Sequence, residues 1–167
     1  MKIRLSIMLV LYNKSQKIYT QLFKQHKRAW GISKEDFLNF PKGSLGHHLG
    51  VFYQEKGFDV VPKLENHDVF HLITESGTDI QDEVAMQYLL LGNGKVSLYQ
   101  FAMIAIGTFL YPEHFNMYLK ALSKGNAMQK FHDLDFETLL NIPLQEIKSS
   151  LAFDLKKHLN HHNLTTL

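Results

Sequence analysis

The sequence predicts an all-α fold: a single-domain bundle of about seven or eight helices with a buried apolar helix at its centre. Three observations carry this reading. Apolar residues recur at helical spacing in one segment after another, as in Leu45, Leu49, Phe52 and Tyr53. Glycine and proline punctuate those segments at Pro41, Gly43, Gly57, Gly77, Gly92, Gly94 and Pro112. No stretch alternates apolar and polar residues at the period of two that a half-buried strand requires.

The chain has 167 residues, of which 45% are hydrophobic and 20% charged, enough for one domain with a real core. We expect residues 1–153 to form the helical domain and 154–167 a polar, His-rich tail. The formal net charge is +2 with no basic stripe, which argues against nucleic acid as a partner. The absence of cysteine excludes disulfides, thiolate metal sites and cysteine nucleophiles.

Taken in order, Ile3 to about Lys27 reads as a long amphipathic helix, with Ile7, Leu11, Ile18, Leu22 and Phe23 on one face. Its basic start and short apolar run imitate a signal peptide, but Tyr12-Asn13-Lys14 ends the run early and no small-x-small cleavage site follows. Ser33-Lys34-Glu35-Asp36 has the form of a capping box opening a short helix to Phe40. Gly43-Ser44-Leu45-Gly46 opens the next, which Gly57 stops. Pro62 is expected as the first residue of a helix running to Glu75. Thr78-Asp79-Ile80-Gln81 reads as a second capping box, starting a helix that stops at Gly92-Asn93-Gly94 with Ile80, Val84, Gln87 and Leu91 facing inward. Ser97 starts the most hydrophobic segment, Phe101 to Tyr111, which has almost no polar face and so is expected to be buried all round. Its length rules out a membrane span. After Pro112 a helix is expected over Glu113 to Leu122, with Lys124-Gly125-Asn126 as a turn. Asp135 caps a further short helix, and Pro143 opens a last one through Leu151.

The chemistry-bearing stretch is Asn66-His67-Asp68-Val69-Phe70-His71, with Glu83 beyond the next turn. At about 100° per residue, His71 lies about 40° round the helix from His67, and Asp68 about 60° beyond it. His67, Asp68, His71 and Glu83 are therefore candidate ligands of one divalent metal. Imidazole and carboxylate donors suit zinc, manganese or iron better than calcium. With 10 His in the chain, His-x-x-x-His alone is weak, as His158 and His162 in the tail show. Requiring Asp directly after the first His reduces the chance expectation to about 0.03. The neighbours Val69, Phe70, Leu72 and Ile73 place the motif on an apolar helix, where a polar group needs a partner. The alternative without metal is a buried His67–Asp68 hydrogen-bond pair, with Glu83 in an interhelix salt bridge.

These residues resemble the coenzyme Q (ubiquinone) biosynthesis protein four family, whose hallmark is His-Asp-x-x-His followed about a dozen residues later by Glu. Leu38 to Gly46, with its Pro41-Lys42-Gly43-Ser44-Leu45-Gly46 core, resembles the family's Pro-x-Gly-Thr-Leu-Gly segment, and Ile142 to Leu151 resembles its C-terminal Leu-Glu-Glu-Leu-Arg segment. The chain departs from the pattern at Leu64, where the family often has Arg, and at Asp82, where it often has Gly.

The resemblance implies a bound divalent metal, usually zinc, and a place in quinone assembly. It implies a prenylated quinone precursor or other isoprenoid lipid as ligand, other quinone-biosynthesis proteins as partners, and peripheral contact with the membrane surface. A cytoplasmic or inner-face location and a homo-oligomer fit the same picture. Two roles follow: an enzyme that decarboxylates and hydroxylates the ring carbon bearing the carboxylate, or a scaffold that presents the lipid. The isoprenoid tail is expected along the apolar segment, at Phe101, Ile104, Phe109 and Tyr111. A third reading makes His67-Asp68 the dyad of an HD-type metal phosphohydrolase completed by His47 and Asp133; it leaves His71 and Glu83 without a role.

Overall fold

The computed structural model describes residues 28–152, so the helix expected over Ile3 to Lys27 and the tail from residue 154 lie outside the described residues. Within them the chain forms seven α-helices and two short 3-10 turns, with no strand. The capping box at Ser33 opens α1 (Lys34–Leu38): the Ser33 hydroxyl accepts from the Asp36 amide at 3.1 Å, and the Asp36 carboxylate accepts from the Ser33 amide at 3.4 Å. Ser44 caps α2 (Leu45–Lys56) in the same way through the His47 amide, and Gly57 ends it in the left-handed conformation at φ 65°.

Two helix starts differ from the sequence reading. Lys63 takes φ 70°, so residues 62–64 form a turn, closed by the Leu64 amide on the Val61 carbonyl, and α3 (Glu65–Thr74) begins three residues later than Pro62 suggests. The second capping box does not form. Asp79, not Thr78, is the cap of α4 (Ile80–Gly92), and Gln81 turns its side-chain amide to the Asp79 carboxylate.

The central buried helix is α4, and this corrects the expectation for the apolar segment. Every residue from Val84 to Leu90 is buried. One face of α4 contributes Met86, Leu89 and Leu90 to the main core, with Phe37, Leu45, Leu49, Tyr53, Val69, Phe70 and Ile73 from the first three helices. Another face contributes Val84, Ala85 and Tyr88 to a smaller core with Met103 of α5 (Leu98–Leu110) and Tyr118 of α6 (Phe115–Ala127). Helix α5 itself buries only Gln100, Met103 and Gly107. These recur at helical spacing and form its inner stripe. Gln100 donates to the Gln87 carbonyl at 2.8 Å, and Gly107 sits directly against Val84. The opposite stripe is open: Leu98 is 81% exposed, Phe101 47% and Phe109 83%. Among the described residues, this largely apolar helix is buried on one side only.

Gly125 also departs from its expected role. Helix α6 continues through it to Ala127, because a Cβ at Gly125 would collide with the Leu89 carbonyl of α4, as one at Gly92 would with the Leu122 carbonyl of α6. These glycines permit a close helix crossing rather than a turn. The main core is closed by Phe131, Phe136 and α7 (Leu144–Leu151), which buries Leu144, Ile147 and Leu151. Backbone hydrogen bonds from Leu45 to Ile142, Gly46 to Leu140 and Leu144 to Gly43 tie the start of α2 to the start of α7. No described helix is long and apolar enough to cross a membrane.

Candidate metal centre

The helical offset places His67 and His71 one turn apart on α3, and the α3–α4 turn brings Glu83 back beside them. Ligand atoms of these three residues all lie within 4.8 Å of one another. The Glu83 carboxylate bridges the two rings, one oxygen 3.1 Å from His67 Nε2 and the other 3.1 Å from His71 Nε2. The two Nε2 atoms are themselves 3.3 Å apart.

The tautomer of His71 is set from behind. Its Nδ1 lies 3.3 Å from the Ser76 carbonyl, an acceptor only, so Nδ1 carries the proton and the Nε2 lone pair points at Glu83 and His67. Phe52 stacks on the His71 ring at 5.8 Å, fixing its plane. Without a cation, lone pairs and a carboxylate meet in one place, and a further proton on an imidazole must relieve the repulsion. The donor set thus fits a divalent ion: two neutral imidazoles and one carboxylate, with the Ser76 carbonyl and the Phe52 ring holding His71 in place.

The electrostatics agree. Burial pushes the Glu83 carboxyl up, but the charge and hydrogen bonds of His67 and His71 outweigh it and hold the group down at about 2. Burial pulls His71 down, and its bond to Glu83, the Glu83 charge and the Ser76 carbonyl together raise it above its ordinary value. The site is not sealed. The His67 side chain is 21% exposed, against 13% for Glu83 and 4% for His71.

Asp68 stands apart from the three. Its Oδ2 accepts a 2.8 Å hydrogen bond from the Tyr53 hydroxyl of α2. Burial raises the Asp68 carboxyl, partly offset by the His67 charge and the Tyr53 bond; burial also raises the Tyr53 hydroxyl, reinforced by Asp68. Tyr53 was legible in the sequence only as an apolar position. The missed signal is that a tyrosine on a buried helical face needs a partner for its hydroxyl.

The remaining predicted residues lie elsewhere. Phe101 and Phe109 are exposed on α5, and Ile104 and Tyr111 are half-buried beside them. His47 and Asp133 join no cluster of potential metal ligands among the described residues, so the phosphohydrolase set does not assemble.

Comparison with known proteins gives two findings. The family model described as Coenzyme Q (ubiquinone) biosynthesis protein Coq4 matches residues 62–156, more than half of the chain, including the His-Asp-x-x-His motif, Glu83 and α7. The chain is also similar to the crystal structure of a candidate ubiquinone biosynthesis protein from Nostoc punctiforme PCC 73102, with a TM-score of 0.61 and 18% identity over 87% of this chain and 80% of that one. At that identity the likeness speaks for the fold. No curated protein sequence matches the chain significantly.

Proposed function

Because the chain belongs to the coenzyme Q (ubiquinone) biosynthesis protein Coq4 family, we propose that its role in quinone assembly runs through a divalent metal, zinc by donor type, held by His67, His71 and Glu83. The observation that carries this reading is the convergence of those three ligand groups on one point. The ligand is a prenylated benzoate-type quinone precursor, and the reaction breaks the bond from the ring to its carboxylate, releases carbon dioxide and forms a ring C–O bond, with water supplying the hydroxyl oxygen and dioxygen taking up the two electrons as hydrogen peroxide.

When bound, the ion supplies Lewis acidity toward a carboxylate or ring oxygen. The chain supplies the rest. Glu83 stays ionised and neutralises one positive charge. The Ser76 carbonyl keeps the His71 Nε2 lone pair in place, and Phe52 closes one side of that ring. His67, the most exposed of the three, marks the side from which a ligand enters.

The isoprenoid tail takes the open face of α5, at Phe101, Ile104, Phe109 and Tyr111. Helix α5 has no charged residue over its whole length, which suits a lipid or a membrane surface on the inner face. That exposed face also supports a second reading, in which the protein presents the lipid to other quinone-biosynthesis proteins without turning it over.

The test is incubation of metal-loaded protein with a prenylated hydroxybenzoate under oxygen, measuring release of the carboxyl carbon and the mass of the ring product. Turnover by wild type that is lost in Glu83→Gln is the expected result. Binding without turnover would leave the scaffold reading, and absence of both would remove the substrate assignment.

A further inference from the structure

The two ends of α3 take a backbone conformation that side chains rarely adopt. Among the described residues, Lys63 and Glu75 are the two non-glycine residues with positive φ, at 70° and 55°. Lys63 lies in the turn before α3, and Glu75 is its C-terminal cap. The chain uses glycine for the same task at Gly57, where α2 ends at φ 65°. Glycine takes that conformation without strain, so a glutamate there needs a reason. Its carboxylate gives one. It forms an ion pair with Lys148 of α7, whose side chain is half-buried while that of Glu75 is exposed. Lys124 of α6 donates to the Thr74 carbonyl beside it. Two cations thus meet the C-terminal end of α3, where the helix dipole favours them.

The residue after Glu75 touches the site. The Ser76 amide donates to the His71 carbonyl at 3.2 Å, and the Ser76 carbonyl faces His71 Nδ1 at 3.3 Å. One rigid peptide unit joins residues 75 and 76, so the conformation at Glu75 governs where the Ser76 carbonyl points. Building on the metal site proposed above, we propose that Glu75 and Lys148 are positioning residues: their ion pair fixes the turn after α3 and so holds the Ser76 carbonyl where it keeps the proton on His71 Nδ1 and leaves Nε2 to the metal. Without the pair, residue 75 leaves the left-handed region more readily, and the imidazole loses the acceptor that sets its tautomer and plane. An exposed ion pair adds little to stability, so stability alone does not account for a strained glutamate. The segment Ile142 to Leu151 supplies none of the three converging ligand groups, yet it enters the site through Lys148.

The experiment measures the zinc affinity of the full chain by competition with a chelator and, in the zinc-loaded protein, the exchange of the His71 Nδ1 proton with water by NMR. Glu75→Gly suits the observed φ and removes the pair. It is expected to leave the melting temperature of the metal-free protein within about 3 °C of wild type. It should nevertheless weaken zinc binding at least about tenfold, the lower end of the range for groups that support a metal ligand, and speed exchange of the His71 proton. Lys148→Met is expected to weaken zinc binding to the same degree, and the double variant no more than either alone, since both remove one device. Lys148→Arg keeps the cation and should keep the wild-type affinity.

Wild-type zinc affinity and proton exchange in Glu75→Gly would overturn the proposal while leaving the metal site standing. Losses that multiply in the double variant would overturn it too, by showing that the two residues act separately. Glu75→Gly decides the matter even where Lys148→Met fails to fold, because the position is exposed and its φ suits glycine. No zinc binding by wild type would remove the metal site and this proposal together.

Discussion

Helices α3 and α5 pack on different faces of α4 and dispose of their side chains in opposite ways. Helix α3 carries Glu65, His67, Asp68, His71 and Thr74, yet Glu65 is 3% exposed, His71 5% and Thr74 1%. Helix α5 carries no charge, yet leaves Leu98, Phe101 and Phe109 in solvent. The difference lies in the partners available. These five polar residues of α3 each meet one: Glu65 the Trp30 amide, Asp68 Tyr53, His67 and His71 Glu83, and Thr74 the Phe70 carbonyl; the buried Asn66 Oδ1 is the exception and meets none among the described residues. A satisfied polar group can be buried. The outer residues of α5 meet no described helix, and apolar character alone brings nothing to cover them. The polar interior of one helix is thus where the proposed metal site lies, and the apolar exterior of the other is where the proposed lipid tail would lie.

The contrast can be broken most severely in α3. Phe70 is 3% exposed and packs edge-on against Phe131 at 5.6 Å and Phe136 at 6.1 Å. Phe70→Ala is expected to cost about 3–5 kcal/mol in urea unfolding, the usual range for a buried aromatic. Next comes the helix that both regions share. Gly125→Val drives a side chain into the Leu89 carbonyl of α4 and is expected to cost about 1–3 kcal/mol, reported by the same unfolding curve.

The pH dependence sharpens the comparison at the site. His71 is raised above its ordinary 6.5, so its contribution in the metal-free protein is complete below about 6.5 and is lost as pH rises through the higher folded value. Glu83 is lowered from 4.5 to about 2, so its contribution is present above 4.5 and is lost as pH falls toward 2. The metal-free pair therefore stabilises most between 4.5 and 6.5. A metal competes with the proton on His71, so its effect runs the other way. The rise in melting temperature on adding zinc is expected to be larger near about pH 7.5 than near about pH 5.5. An equal rise at both would separate zinc binding from His71.

The smallest effect on stability belongs to α5. Phe109→Ser is expected to change unfolding free energy by no more than about 0.5 kcal/mol, since the residue is 83% exposed. The same variant should weaken binding to vesicles carrying an isoprenoid lipid. A large loss of stability with unchanged lipid binding would reverse the roles given to the two helices.

Much of this was legible in the chain itself, for identifiable reasons. Ser33, Ser44 and Gly57 act through local backbone chemistry, and each stands where the sequence places it. His67, His71 and Glu83 were legible because helical spacing and one turn suffice to bring them together. The segments starting at Leu38 and at Ile142, read as separate likenesses, are bonded to each other through Leu45, Gly46 and Leu144. What was not legible depends on tertiary neighbours. Whether α4 or α5 is central depends on how many helices surround each. Gly125 reads as a turn in one dimension and as a crossing point in three. Tyr53 meets Asp68 only once α2 lies against α3.

The central claim is tested most directly by the metal content of the purified protein, by elemental analysis, for wild type and Glu83→Gln. The account predicts about one equivalent of zinc, manganese or iron per wild-type chain, and loss of that equivalent when the carboxylate between the two imidazoles is replaced. No metal in wild type after reconstitution, or the same content in Glu83→Gln, would contradict it and leave His67, His71 and Glu83 as a buried hydrogen-bonded cluster.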